Sequence, residues 1–538
     1  MWINKISRGI PGIIVLLLAV TLFRELTFSA IVPIWHTPDE QAHFAQTAYF
    51  AQLNHMYSGG FDLNKEILMS ERLLGTERDN QGNNKFTFHP EYKIEYTDTV
   101  VGKYENVIAN LPKSYRTIFV KQEAANYPPL YYWLTGFAYK LFYNADLIGR
   151  VYAGRFVSII LSVLTVFFAW LIGRKLFPKD GLLQITLPMM VSFQPMFSFV
   201  GAGVTSDNLL NLLFTVMIYL SLLLIEKGPK LKLLLSILGV FILMYLTKPQ
   251  FVLSIPVVGL AFIGWFAFST KMAKKIKWLI AGLTMASLAI VAYLLVYTQL
   301  HLAVERFYPQ SFFPGSKKIE EISFYHFFRQ TISQTVSEAI PWYWGAFDWL
   351  GVTFPREIHR VLNRLIVLAA LGIIIKLAMM VKKRTREDWM LVFMIATAGI
   401  YFMGITYYNY LFTITHGYPF GIQGRYYFPV IVPQMALLLS GLTFLVPGSF
   451  AKVKRVWTAA IGIGMIVLNF VALWIIAETY YDLSSLNTFI IQASQYKPWF
   501  FKGDWLIFWL VAYLITLIWF LITFGRRSSV RPSGKRFL

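Results

Sequence analysis

Along this chain, runs of about 20 apolar residues alternate with short basic stretches and with two longer mixed ones. A helix of that length crosses the roughly 30 Å of hydrocarbon in a bilayer. Twelve such runs stand out, at 10–32, 150–172, 181–201, 206–225, 232–247, 250–269, 278–299, 360–381, 389–411, 427–446, 456–477 and 504–524. In lipid each backbone N–H must be satisfied within its own segment, so the pattern predicts an all-α integral membrane protein with about twelve transmembrane helices. The fifth and sixth runs are short and separated only by "LTKPQ", which predicts a tight turn between them.

Composition fits this class: 56% of the 538 residues are hydrophobic and 14% charged. The net charge of +21 would suggest nucleic acid if the basic residues formed one patch. They do not. Lys5 and Arg8 precede the first run, and the later clusters are Arg174, Lys175 and Lys179; Lys227, Lys230 and Lys232; and Lys271, Lys274, Lys275 and Lys277. Further on stand Lys382, Lys383, Arg384 and Arg386; Lys452, Lys454 and Arg455; and a tail with Arg526, Arg527, Arg531, Lys535 and Arg536. With twelve crossings every cluster falls on one side, which the positive-inside rule makes the cytoplasm. The charge therefore reports topology and lipid contact, and nucleic acid is excluded as a partner. The absence of cysteine excludes disulfides. Both termini are expected in the cytoplasm, and the first run reads as an uncleaved signal anchor because it lacks a small-x-small cleavage site.

The expected organisation is a signal-anchor span (1–33), a large first extracytoplasmic loop (34–148), spans two to seven (149–300), a second outer loop (301–358), spans eight to twelve (359–525) and a basic cytoplasmic tail (526–538). All eight histidines fall in the outer loops or at their rims. In the first loop, Thr37, Pro38 and Glu40 have the spacing of a helix start: an N-cap, a proline at the first position and a capping-box glutamate. A helix is predicted from there to about Asn54, with Asp39 and His43 one turn apart on the same face. Residues 79–101 carry a turn, "DNQGNN", and two alternating stretches predicted to be short strands. Pro128 and Pro129 then precede an amphipathic aromatic helix, 130–143, suited to lie at the membrane surface.

The blocks "PDEQAHF", "YPPLYYW", "SDNLLN", "LTKPQF", "PWYWGAFDWL" and "QGRYYFPVIVP" resemble, in their order and outer placement, the GT-C glycosyltransferases. More narrowly, the chain is similar to the protein O-mannosyltransferase and aminoarabinose-transferase branch, and to a bacterial GT-C-like membrane family described only as a domain of unknown function. The resemblance implies a location in the bacterial inner membrane, with an extracytoplasmic active site. It implies inverting transfer of a sugar from a polyprenyl-phosphate donor to a cell-envelope polymer, lipid or protein, without a required cofactor. In that family the acidic residue of the first outer loop is the general base on the acceptor hydroxyl, a role that falls here on Asp39, with Glu40 as its acidic neighbour.

A departing lipid phosphate needs a cation, and the candidates are Arg425 in "QGRYYF", Lys248 in "LTKPQF" and Arg155 at the start of the second span. Arg155 could equally partner a loop carboxylate. Where some relatives carry a lysine or histidine before "PPL", this chain has Tyr127. Acceptor or substrate contacts are assigned to His43, Tyr127, Asp207 and Trp344. Asp207 could also serve its helix N-terminus, and Trp344 with Trp342, Tyr343, Phe347 and Trp349 could form an interfacial belt. His36, Asp39 and His43 have the chemistry to hold a divalent cation, although no second carboxylate cluster supports one. A polysaccharide polymerase or ligase, and a saccharide or lipid transporter, are the competing readings. The chain shows no internal repeat and no long central cytoplasmic loop, and its ionisable groups concentrate in the outer loops, unlike a transporter.

Overall fold

The structure is a computed structural model that describes residues 11–54, 60–79, 82–123, 127–269, 298–305, 318–319, 322–380 and 385–529, with isolated positions at 282, 286, 290, 293 and 294. Among these, nine helices are long and apolar enough to cross a membrane: Gly12–Ile31, Leu147–Leu176, Asp207–Lys227, Pro249–Ala267, Arg356–Met380, Arg386–His416, Gly424–Phe444, Gly448–Tyr480 and Asp504–Ser528. The pair Gly181–Ser192 and Pro195–Gly201, bent by 57°, makes a tenth if counted as one broken span, and the apolar helix Leu231–Tyr245 is shorter. Every expected run within the described residues is thus a helix, and the protein is an all-α, multi-pass membrane protein. The run 278–299 lies largely outside the described residues, as do the basic positions 5, 8, 271–277, 382–384 and 531–536.

Asp207–Lys227 is the most enclosed of these nine helices and packs against Leu147–Leu176 and the helix that follows Pro249. Arg356–Met380 and Asp504–Ser528 are the most peripheral, turning most of their apolar surface outward. Small residues set the closest crossing. A Cβ on Gly372 would sit 2.1 Å from the carbonyl oxygen of Gly441, and one on Gly441 would sit 2.1 Å from that of Ala369. Backbone contact of this kind is how membrane helices gain packing when lipid is as apolar as the side chains. The first span carries two charges, Arg24 and Glu25, both fully buried and paired at 2.5 Å, with Ser192 accepting from Arg24 at 3.1 Å.

The segment 34–148 is pinned to one end of this bundle. Leu63–Asn64 pairs antiparallel with Phe119–Lys121, and Asn64 caps the helix Lys65–Leu74 through Ile67 N–H at 3.0 Å. Glu66 takes Arg150 at the start of the second span, and Arg116 lies 3.6 Å from the same carboxylate. The aromatic helix Leu130–Leu141 exposes Trp133, Leu134 and Phe137 on one side and buries Tyr131, Tyr132 and Tyr139 on the other. That is the face division expected of a helix at a membrane surface.

Two local expectations are corrected. The strands expected within 79–101 do not form: residues 85–88 are a turn, and 91–101 are irregular. Among the described residues no strand pairs with this stretch, and its hydrogen bonds run to distant segments instead. Gln495 donates to the carbonyls of Thr97 and Thr99 at 2.8 Å each and accepts from Thr97 N–H at 3.0 Å, while Lys93 reaches the Thr479 carbonyl at 2.6 Å. The helix start at Thr37 is also displaced. The helix runs Glu40–Leu53, its N-cap is Asp39, and Thr37 Oγ1 has no partner. Glu40 does not complete a capping box, because its carboxylate is spent on Arg155.

Candidate active site

The helix Gly12–Ile31 ends where Val32 becomes extended, as the residue before a proline must. The chain then turns through Pro33 and Thr37, with His36 N–H on the Pro33 carbonyl at 3.4 Å and Glu40 N–H on the Thr37 carbonyl at 3.2 Å. Asp39 closes this turn in the left-handed region, at φ 57° and ψ 20°, a conformation that aspartate tolerates better than most residues. Its side chain makes no cap bond to the helix it precedes. The carboxylate instead faces a cavity of about 70 Å³ between this turn and the ends of three later helical segments.

Each of those segments delivers one charged group. Asp207 is the first residue of Asp207–Lys227. Lys248 is extended before Pro249, which halts the preceding helix and opens a 3₁₀ turn. Arg425 lies in the 3₁₀ turn Gly424–Val430, its Nε donating to Gln423 at 2.7 Å. A Cβ on Gly424 would stand 2.1 Å from the backbone nitrogen of Tyr343, so only glycine lets this turn press against the short helix Ile340–Trp344.

Asp39, His43, Tyr127, Asp207, Lys248 and Arg425 all line the cavity; its remaining wall is largely apolar and includes Leu253, Leu300, Ile405, Phe420 and Ile422. The charges form an alternating chain. Arg425 Nη2 donates to Asp39 Oδ2 at 2.5 Å, and its Nη1 lies 3.4 Å from Asp207 Oδ2. Lys248 Nζ donates to Asp207 Oδ1 and lies 5.3 Å from the centre of the Tyr127 ring. On the other side of Asp39, Arg78 Nη1 donates to Oδ1 at 2.9 Å, and its Nη2 donates to Glu123. Burial alone would raise the Asp39 carboxyl, but Arg425 and Arg78 outweigh it and hold that carboxyl well below the usual carboxylate range. His43 behaves oppositely: burial first, then Lys248, lowers its imidazole to about 3, so it is neutral near pH 7. Its Nδ1 bonds the hydroxyl of Tyr132 at 2.8 Å.

Three of the sequence candidates do not reach the cavity. Glu40 and Arg155 are fully buried and bind each other, with Arg155 Nε and Nη2 each 2.7 Å from the Glu40 oxygens. Arg155 also donates to the carbonyls of Ser29, Val32 and Pro33, so no donor remains for a phosphate. This realises the loop-carboxylate partnership open to Arg155 in the sequence, and it sets aside a direct catalytic part for Glu40. Trp344 is 3% exposed and packs edge-to-face on Tyr343 beside the Gly424 turn, outside the cavity wall. Asp207, by contrast, spends its carboxylate on Lys248 and Arg425, so helix capping does not account for it.

The His36, Asp39 and His43 set separates: His36 Nδ1 bonds Asp348 at 3.2 Å while His43 faces the cavity. No group of three His, Cys, Asp or Glu placed to hold a metal occurs among the described residues. Arg78 was missed from the sequence, where it stands in "GTERDN" as one more loop charge. Only the fold brings it to Asp39.

The profile of the family described as "Predicted membrane protein (DUF2142)" matches residues 22–434. No curated protein matches the chain. Among solved structures it is similar to the Archaeoglobus fulgidus oligosaccharyltransferase in complex with Zn and sulfate, at 12% identity and a TM-score of 0.41 over 86% of this chain and 53% of that one. It is also similar to ArnT from Cupriavidus metallidurans bound to undecaprenyl phosphate, at 13% identity and a TM-score of 0.37 over 89% and 75% of the two chains. A third is AglB from Archaeoglobus fulgidus in complex with an inhibitory peptide and a dolichol-phosphate, at 11% identity and 0.40 over 86% and 56%. The chain spans about half the length of the archaeal enzymes.

Proposed function

The chain belongs to the DUF2142 family of predicted membrane proteins, and from its cavity we propose that it is an inverting glycosyltransferase acting at the extracytoplasmic face. It moves a sugar from a polyprenyl-phosphate donor to a hydroxyl of a cell-envelope acceptor. One observation carries the reading: a cavity with an apolar wall gathers an ionised carboxylate, Asp39, with two cations, Lys248 and Arg425. The apolar wall suits the first isoprene units, and the cations suit the phosphate.

The chemistry balances with these groups. The acceptor oxygen attacks the anomeric carbon, the bond from that carbon to the phosphate oxygen breaks, and Asp39 takes the acceptor proton and releases it to water. The donor phosphodiester carries one negative charge, and the departing lipid phosphate carries two. Lys248 and Arg425 therefore bind the leaving group more strongly as the bond breaks, which is the condition for lowering the barrier. Neutral His43, tied to Tyr132, offers its second nitrogen to a sugar or acceptor hydroxyl without adding charge.

The test is sugar transfer from a radiolabelled polyprenyl-phosphate donor pool in membranes carrying the native protein or Asp39→Asn. The amide keeps shape and hydrogen bonding but removes the base, and transfer should fall on the order of 10²-fold or more at equal protein level. Undiminished transfer by the variant would remove Asp39 from the mechanism, and no transfer by the native protein would overturn the reading.

A further inference from the structure

The two arginines on Asp39 differ in whether a ligand can reach them. Arg425 lines the cavity and Arg78 does not. Arg78 is about as buried as Arg425, with side-chain exposures of 8% and 3%, but it is anchored behind the site. Its second guanidinium nitrogen is bound to Glu123, and its carbonyl accepts from Lys121 at 2.6 Å. The two oxygens of Asp39 are therefore held in different ways. Oδ2 is bound by a cation that an incoming anion can recruit, and Oδ1 by one that it cannot.

Arg425 Nη2 occupies Oδ2, the oxygen that would have to accept a proton. A phosphate in the cavity competes for that guanidinium, since Arg425 and Lys248 are the cations on the wall. Resting on the transferase reading above, we propose that Arg78 is a positioning residue: it holds Asp39 by Oδ1 while the donor phosphate draws Arg425 away, so that Oδ2 becomes free to act only once the donor is seated. The turn at Asp39 makes such a holder necessary, because the left-handed backbone supplies no cap bond to fix the side chain. The charged and titratable groups facing Asp39 are Arg425, Arg78, His43 and Tyr426, with Asp207 and Lys248 one contact further and Glu123 behind Arg78. With Arg425 engaged elsewhere, Arg78 is the cation left to oppose the rise that burial imposes on the Asp39 carboxyl.

The experiment uses the full chain in liposomes with the polyprenyl-phosphate sugar pool, and compares the native protein, Glu123→Gln, Arg78→Lys and the double variant Arg78→Gln/Glu123→Gln. The double variant avoids leaving the Glu123 carboxylate buried without its partner. Expected for it are a kcat lowered on the order of 10- to 100-fold relative to Glu123→Gln, as for a displaced catalytic group, and an unchanged KM for donor. Undecaprenyl phosphate, used as the binding probe, should bind as it does to the native chain. The acid limb of the kcat profile should move to higher pH, and Arg78→Lys should restore part of both rate and profile. A double variant with native kcat and profile would overturn the proposal, as would loss of undecaprenyl phosphate binding, which would place Arg78 in the phosphate site. If the native protein itself transfers no sugar, the transferase reading fails and this proposal falls with it. Normal native transfer with an indifferent Arg78 fails this proposal alone.

Discussion

Replacing Arg155 by methionine removes one half of an ion pair in which neither side chain has any exposure. Glu40 would lose two charge-assisted bonds of 2.7 Å and keep only the N–H groups of Trp35, at 2.9 Å, and Val204, at 3.1 Å. Three backbone carbonyls, those of Ser29, Val32 and Pro33, would each lose one donor and keep another, from Tyr152, Lys497 and His36 respectively. Breaking a buried pair from one side leaves an uncompensated charge, so Arg155→Met should cost about 3–5 kcal/mol. Neutralising the survivor should return part of that cost, so Arg155→Met/Glu40→Gln is expected about 2 kcal/mol more stable than Arg155→Met. The assay is unfolding in mixed micelles followed by tryptophan fluorescence, with undecaprenyl phosphate binding measured on the folded fraction. Because neither residue lines the cavity, folded Glu40→Gln should bind that lipid as the native protein does. An Arg155→Met cost under about 1 kcal/mol, or a double variant no more stable than the single one, would refute the reasoning.

Two further outcomes follow from the site. His43 has its ordinary pKa of 6.5 when unfolded and about 3 when folded, so the unfolded chain binds the extra proton between those values. Stability should therefore rise with pH from about 3 to 6.5, by up to roughly 1.4 kcal/mol per unit from this residue, and His43→Gln should flatten that part of an acid-unfolding profile. Gly424→Ala forces a methyl against the Tyr343 backbone. It should destabilise by about 1–3 kcal/mol and shift Arg425 with its turn, so that undecaprenyl phosphate binding and sugar transfer fall together in titration and transfer assays.

The spans were legible because a bilayer imposes one length and one composition on every crossing. The cavity residues were legible for a related reason. Asp39, Asp207, Lys248 and Arg425 are polar groups where the apolar runs begin or end, where a charge is costly unless something pairs with it. What sequence spacing left undetermined was which charge each would meet. Glu40 is adjacent to Asp39, yet the left-handed turn sends one carboxylate into the cavity and the other into the second span. Arg78 lies in a loop with no periodicity to place it, and its partner is 39 residues away. The alternation in 85–101 has the look of strands, but a strand requires a neighbouring edge, and here the Gln495 side chain bonds the backbone of Thr97 and Thr99 instead.

The two arginines on Asp39 also set an order in time. Arg78 follows it by 39 residues and Arg425 by 386. A chain inserted from its N-terminus acquires the rear clamp while the first loop is still forming. The front one arrives only after six membrane-length helices among the described residues and the bent pair Gly181–Ser192 and Pro195–Gly201 have been threaded. Until then the first-loop carboxylate stands without the guanidinium that belongs on the cavity side. Closing the network is thus a late event of assembly, and a chain stalled before the Gly424 turn carries every other charge of the site but lacks a working one.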